Sequence, residues 1–456
     1  MYPSVSTKTM FCCLLFYIGS TSCNKQIEKQ PVSSQQSASL TNEKPNIILI
    51  MADDIGYEVP TYSGGQSYTT PNIDALAQSG MQFTHCLTAP LCSPSRVMLL
   101  TGKYNFRNYI GWGLIDTSQH TIANLLQDAG YATCVAGKWQ LDGGGAAAHK
   151  TGFDSYLLFL PFTPATVAEE NAENNYRYKN PHLYQNNAFL PDSVTNGKYA
   201  DDMFTDFIKS FIDSTSAVNK PFFVYYPMSL CHLPFSPTPD DPEYATWVNG
   251  TKTNNTYFPS MVKYMDKKVG ELVSFVQAKG IAENTVIIFI SDNGTPKGIT
   301  SLFRGKLVDG GKGTPIEYGI HVPFIIKWPD HINPGTVNEN LINLPDFMPT
   351  LASIAGTQMP FNGQIYDGVD FNSSFYNSTN ALRTWSFCHS QPYANSKLIR
   401  WAQTNTYKLY DSINKSKFVN IAVDTLEVIP ILTKNLTTEQ KQIKQQLQSV
   451  LNTMHN

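Results

Sequence analysis

The chain has 456 residues with 33 Lys and Arg against 36 Asp and Glu, a formal net charge of −3. Hydrophobic residues make up 42%, and with 29 glycines the apolar share reaches about 48%, the ordinary globular range, while charged residues fall to 15%. That balance excludes collagen-like, coiled-coil and wholly disordered chains, and without a basic excess or a Lys/Arg run it excludes nucleic acid as the main partner.

In chain order, Lys8 precedes an apolar run over 10–18, followed by the small residues Gly19-Ser20-Thr21-Ser22 and then Cys23. This reads as a secretory signal over 1–22, too short for a membrane span. A cysteine directly after the small residues resembles a bacterial lipoprotein signal, in which that residue is lipidated; an ordinary cleaved signal is the alternative. Residues 23–44 are Gln/Ser-rich and polar, a flexible tether. The expected location is therefore outside the cytoplasm, as a periplasmic or outer-membrane lipoprotein tethered through Cys23, or else secreted. The sequons at Asn249, Asn254, Asn377 and Asn435 would then carry no glycan, because bacterial export does not supply it.

Beyond the tether, strands alternate with helices. Asn46–Ala52 is a continuous apolar run, as for a central parallel strand covered on both faces. Thr70-Pro71 opens and Gly80 closes a short helix. Helical patterns over 121–130, 199–213 and 257–280 each precede an apolar strand, at 131–136, 221–226 and 285–290. A further strand is expected at 322–328 and a further helix at 344–356. This rhythm predicts an α/β, doubly wound, mainly parallel sheet flanked by helices. After residue 368 the pattern changes to short strands at 396–401 and 407–410 and a polar helix from Thr437. The expected division is a main domain over 45–368 and a small C-terminal α+β lobe with a short antiparallel sheet over 369–456.

Of eight cysteines, Cys12 and Cys13 lie in the signal. Cys86, Cys134, Cys231 and Cys388 are widely spaced without CxxC pairs, so no zinc site is suggested, and Cys86 and Cys134 read as buried thiols.

Acidic residues gather where two strands end, Asp53-Asp54 after the first and Asp292-Asn293-Gly294 after another. Ligands of open α/β sheets bind just beyond the carboxyl ends of strands. Three carboxylates and an amide there repel one another unless a hard cation sits between them, and oxygen-only donors favour Ca²⁺ or Mg²⁺. The alternative is that Asp-Asp caps a helix and Asp-Asn-Gly makes a turn.

Between them lies Pro90-Leu91-Cys92-Ser93-Pro94-Ser95-Arg96-Val97-Met98-Leu99-Leu100-Thr101-Gly102. This stretch resembles the Cys-x-Pro-Ser-Arg signature of the formylglycine-dependent sulfatases, in the alkaline-phosphatase-like superfamily. Residues 46–56, 130–141, His232-Leu233-Pro234, 284–294 and 310–323 are similar to further family blocks, in the family's order. The resemblance implies a sulfatase fold and a set of roles. A separate maturation enzyme would convert Cys92 to formylglycine (3-oxoalanine), whose hydrate attacks sulfur; its second hydroxyl lets sulfate leave, where a thiol would stay trapped. Asp53, Asp54, Asp292 and Asn293, with the group at Cys92, would hold Ca²⁺, Mg²⁺ being the second choice. Arg96, one turn after Cys92, would support the diol at a helix N-terminus that favours anions. Lys138 and Lys312 would grip the sulfate, and His232 would bind it and protonate the leaving oxygen.

One position departs from the pattern. The family reads Gly-Lys-Trp-His-Leu where this chain has Gly137-Lys138-Trp139-Gln140-Leu141. Gln140 can exchange hydrogen bonds but cannot take up a proton at neutral pH, and loss of a general base costs about 10²–10⁴ in rate. A slower enzyme, an enzyme with another base, and a sulfated-glycan-binding protein without turnover all stay open. His321 stands where the family more often has Arg, which implies altered pairing behind the site. Tyr57, Tyr104, Trp112 and Trp139, near the motifs, suit core packing or stacking on a sugar. The leading expectation is an enzyme hydrolysing sulfate esters, with a sulfated carbohydrate as partner. A phosphate-ester hydrolase of the same superfamily ranks below it, since those use Ser or Thr with two zinc ions. The loop over 143–197 matches no motif.

Overall fold

The structure is a computed structural model and describes residues 44–360, 363–376, 382–411 and 416–454. The expected signal, Cys12, Cys13, Cys23, all of the tether but Lys44, and Asn377 lie outside the described residues.

A ten-stranded sheet forms the centre. Its first strands in sequence are β1 (Asn46–Ala52), β2 (Met81–Leu87), β3 (Ala132–Lys138), β4 (Ser155–Phe159), β5 (Leu183–Gln185) and β6 (Ala188–Phe189). Then come β7 (Phe222–Pro227) and β8 (Thr285–Ser291), a separate hairpin of β9 (Thr300–Phe303) and β10 (Lys306–Asp309), and β11 (His321–Lys327) and β12 (Thr336–Asn343). The order across the sheet is β12-β2-β11-β8-β1-β7-β3-β4-β5-β6. The five strands from β8 to β4 run parallel, while β11 runs antiparallel to both its neighbours.

The continuous apolar run of β1 is explained by what covers it. Ile47, Leu49 and Met51 enter one buried cluster and Ile48, Ile50 and Ala52 the other, so both faces of the strand are dry. Helices α1 (Pro71–Gln78), α4 (Ala200–Ser216) and α5 (Phe258–Ala278) cover one face. Helices α2 (Cys92–Thr101), α3 (Ile122–Asp128), α6 (Phe347–Ile354) and α7 (Thr438–Thr453) share the cluster on the other. Thr121 caps α3 through a capping box and Thr437 caps α7 in the same way. All ten residues of α2 are buried.

The second sheet has four antiparallel strands, β13 (Ser386–Ser390), β14 (Ile399–Gln403), β15 (Tyr407–Tyr410) and β16 (Phe418–Asn420). The strand expected at 396–401 is displaced to Ile399–Gln403, because the chain turns first: the Ser396 N–H donates to the Tyr393 carbonyl at 2.9 Å. The helix expected at 344–356 begins as a 3₁₀ turn at Leu344–Asp346. The five described cysteines are buried and free, as the spacing of Cys86 and Cys134 suggested.

The second sheet is tied to the first by a buried ion pair. Asp346 precedes α6 and accepts from the Asn343 and Val369 N–H groups, both at 2.8 Å. Arg383 reaches it from outside, donating from Nε to Oδ2 at 2.9 Å and from Nη2 to Oδ1, with Nη1 on the Tyr104 hydroxyl at 2.9 Å. Removing one member of a buried pair leaves the other uncompensated, which costs about 3–5 kcal/mol. Arg383→Met is therefore expected to lower unfolding free energy by about 3 kcal/mol, read as a fall in the urea midpoint with unchanged slope.

Candidate active site

Parallel pairing sets the site. Ala52 is in register with Ser291, so the residues after β1 and β8, Asp53-Asp54 and Asp292-Asn293, emerge side by side. The turn at Asp54 has φ +64° and is held by backbone N–H groups: that of Asp54 donates to Asp292 Oδ1 at 3.1 Å and that of Ile55 to Ser291 Oγ at 3.1 Å. The Asn293 amide donates to Asp54 Oδ1 at 2.8 Å. All four side chains are fully buried.

Cys92 opens α2, and its Sγ lies 3.5 Å from Asp53 Oδ1 and 3.8 Å from Asp54 Oδ1. Ligand atoms of Asp53, Asp54, Cys92 and His232 all fall within 4.8 Å of one another. The structure thus gathers all five expected metal-site residues. His232 joins Asp53, Asp54 and Cys92 in this group, and Asp292 and Asn293 are bonded to it through Asp54. Three carboxylates and an amide suit a hard divalent cation. The oxygen of that amide, Asn293 Oδ1, is buried without a hydrogen-bond partner, as a donor to a cation would be.

Buried carboxylates need compensating charge, and cations from four different segments supply it. Lys138, the last residue of β3, reaches Asp53 Oδ2 at 2.6 Å. Lys312 reaches Asp54 at 2.6 Å. Arg96, one turn after Cys92, is held by the acidic cluster. It donates from Nε and Nη2 to Asp292 Oδ2 at 3.0 and 2.9 Å and from Nη1 to the Lys138 carbonyl at 3.1 Å, so it positions the cluster. The fourth cation, Arg177, places Nη1 3.6 Å from Asp53 Oδ2. Sequence reasoning missed it, because it sits in the motif-free loop, where only the flanking Tyr176 and Tyr178 hint at burial.

These charges set the protonation states. Burial works to raise Asp53, but the permanent cations around it, Lys138 first, then Arg96 and Arg177, hold it well below the usual carboxylate range. Burial and Asp53 push Asp292 up to about 6, against Arg96 and Lys138. Burial, with Asp292, drives the Cys92 thiol far up despite Lys138 and Lys312, so the thiol is neutral and a poor nucleophile. Burial, then Lys312, Arg177 and Lys138, drive His232 well below its ordinary value. Its Nδ1 lies 2.6 Å from the Leu233 carbonyl, which only accepts, so Nδ1 carries the proton and Nε2, 3.8 Å from Asp54 Oδ2, carries the lone pair.

Gln140 follows β3 with φ +48°, its N–H on the Leu160 carbonyl at 2.9 Å and its side-chain oxygen buried without a partner. His321 bridges Glu317 Oε1 at 3.1 Å and the Thr84 carbonyl at 2.8 Å, and stacks on Tyr57 at 4.1 Å, a pairing of its own behind the strand ends. Tyr104 and Trp139 are core residues, and Trp112 packs on Tyr393 with ring centroids 5.0 Å apart.

Because His232 is depressed in the folded chain, the unfolded chain binds more protons between that depressed value and about 6.5. Stability therefore rises with pH up to about 6.5 and levels off above it. His232→Gln is expected to lose less melting temperature than the wild type between pH 7 and pH 5.5, measured by differential scanning calorimetry in metal-free buffer.

Comparison with known proteins agrees with this geometry. The family model described as Sulfatase matches residues 45–357, and one described as N-sulphoglucosamine sulphohydrolase, C-terminal, matches 312–456. N-acetylgalactosamine-6-sulfatase of Mus musculus is 31% identical over 367 residues, covering 72% of this chain and 65% of the relative. N-acetylgalactosamine-6-O-sulfatase of Bacteroides thetaiotaomicron is 30% identical, covering 75% and 77%. The crystal structure of Ps i-CgsB superposes with a TM-score of 0.71 at 27% identity, covering 90% of this chain and 93% of that one. The chain spans about two thirds of the length of the mouse relative it matches. With the paired strand ends, the Cys-x-Pro-Ser-Arg helix and the family model over most of its length, the chain belongs to the sulfatase family.

Proposed function

We propose that this chain hydrolyses sulfate monoesters, R–O–SO₃⁻ and water giving R–OH, SO₄²⁻ and a proton, at the position of Cys92. The observation that carries the proposal is the setting of that side chain, 1% exposed and between two carboxylates, where the thiol itself is inert. Formylglycine at position 92 would supply a hydrated aldehyde as nucleophile, and Ca²⁺ held by Asp53, Asp54, Asp292 and Asn293 would supply positive charge for the anionic centre. A separate maturation enzyme is the partner this requires.

The remaining chemistry belongs to the chain's own residues. Lys138 and Lys312 hold ammonium groups on Asp53 and Asp54, the two carboxylates beside Cys92, from where they donate charge-assisted hydrogen bonds to sulfate oxygens. The lone pair on His232 Nε2 would take the proton that the attacking hydroxyl at position 92 gives up and return it to the leaving oxygen, so the general acid expected here first acts as a base. Gln140 holds no proton in this exchange, which leaves proton transfer to His232.

The substrate class we infer is a sulfated carbohydrate. The Bacteroides relative is named for a sulfated amino sugar, and Ps i-CgsB has been solved in complex with k-i-k-neocarrahexaose at 26% identity to this chain. The run over 10–18 and Cys23 support export, with a lipid tether or a cleaved signal. No described helix is long and apolar enough to cross a membrane. The second reading, a binding protein without turnover, draws on Gln140 alone.

Sulfate release from a panel of sulfated mono- and oligosaccharides tests both. Cys92→Ala and Asp292→Ala are expected to abolish release, and the peptide carrying Cys92 is expected to show sulfur and two hydrogens replaced by one oxygen in its mass. Full release from Cys92→Ala would overturn the hydrolase reading, whereas saturable glycan binding without release by converted protein favours the binding one. Gln140→His, by adding a second base, is expected to raise turnover about 10²-fold, measured as kcat on the best substrate of the panel.

A further inference from the structure

The buried charges of the site do not cancel. Lys138 pairs with Asp53 at 2.6 Å, Lys312 with Asp54 at 2.6 Å and Arg96 with Asp292 at 2.9 Å, one cation for each carboxylate. Arg177 is left over. Its side chain is fully buried, and its nearest carboxylate oxygen, Asp53 Oδ2, lies at 3.6 Å and already accepts from Lys138. Nη2 donates to Asn174 Oδ1 at 2.7 Å, and the guanidinium lies over the Phe159 ring at 4.8 Å. Nε and Nη1 make no hydrogen bond among the described residues.

A buried guanidinium with idle N–H groups is costly to fold around, so such an arrangement persists where an anion completes it. The segment is also built to hold its place at the site. The hydroxyl of Tyr178, the next residue, lies 2.7 Å from the Ser229 carbonyl and 2.5 Å from that of His232. Arg177 is thereby fastened to the turn that carries His232.

We propose that Arg177 is a substrate-gripping residue, whose unbonded N–H groups donate to oxygens of the sulfate group before and after cleavage. The assignment rests on the sulfate-ester reading above and extends it. It names a contact from the loop over 143–197, the part of the chain that no shared motif covers. An arginine suits this task better than a lysine would, because its charge persists at every working pH and its planar donors are fixed in direction. It also fits the loss of histidine at position 140. A permanent cation beside Asp53 adds anion affinity that an amide at that position cannot supply.

The test uses the full chain, converted at Cys92 and loaded with Ca²⁺, titrated with inorganic sulfate in a calorimeter and assayed for release on the saccharide panel. Arg177→Gln is expected to weaken sulfate binding about tenfold or more and to raise KM more than it lowers kcat. Arg177→Lys is expected to recover part of the loss. In sulfate-free buffer Arg177→Gln should melt close to the wild type, since Asp53 keeps its 2.6 Å pair with Lys138 and a cation in excess of the three carboxylates has been removed. Unchanged sulfate affinity, or a fall in melting temperature with affinity intact, would mean a structural role and overturn the assignment. Should Arg177→Gln fail to fold, Asn174→Ala frees Nη2 and keeps the charge; a severalfold loss of sulfate affinity supports the assignment, and none overturns it. Wild-type protein that binds sulfate yet releases none overturns the hydrolase reading and leaves Arg177 standing. Turnover that Arg177→Gln leaves untouched, with its sulfate affinity, overturns Arg177 alone.

Discussion

Buried charge is the constraint around which this molecule is arranged. Three carboxylates stand fully desolvated at the ends of two adjacent strands, and each would be too costly to bury alone. Their ion pairs come from the end of β3, from α2, and from the loop holding Lys312, so each of those segments is held where its cation is needed. Removing water also strengthens each interaction, so the cations hold Asp53 down and the carboxylates hold Lys312 up against burial, while burial itself, more than any charge, raises Asp292 and the Cys92 thiol.

The fold that supplies this arrangement was legible where the physics is local or two-sided. The dry strand β1 shows as an unbroken apolar run because both faces are covered, and the ends of β1 and β8 mark the site because parallel strands place their carboxyl ends together. By contrast, β12 pairs with β2 at the sheet edge and reads Thr-Val-Asn-Glu-Asn-Leu-Ile-Asn, a polar string with no period to betray it. The antiparallel direction of β11 between β2 and β8 follows from chain routing, which no residue in the strand records.

The site was legible to the extent that motifs mark it. The acidic strand ends, Cys92, Lys138, His232 and Lys312 are found together. What a motif could not convey is direction. Arg96 stands one turn from Cys92, and its guanidinium is fixed by Asp292 and the Lys138 carbonyl, a pairing the motif does not spell out. Nor could a motif convey Arg177, whose importance appears only when buried charges are counted in space.

The burial of Cys92 has a bearing on the order of events in the cell. Its sulfur sits at the start of a helix with no exposed residue, between carboxylates that follow β1, some 39 residues earlier in the chain, and these are held in turn by Asp292 after β8, far later in the chain. Once the sheet has closed, a second protein cannot reach that atom without undoing the core. Any chemistry performed on it by an outside catalyst must therefore come before the strands that bury it have docked.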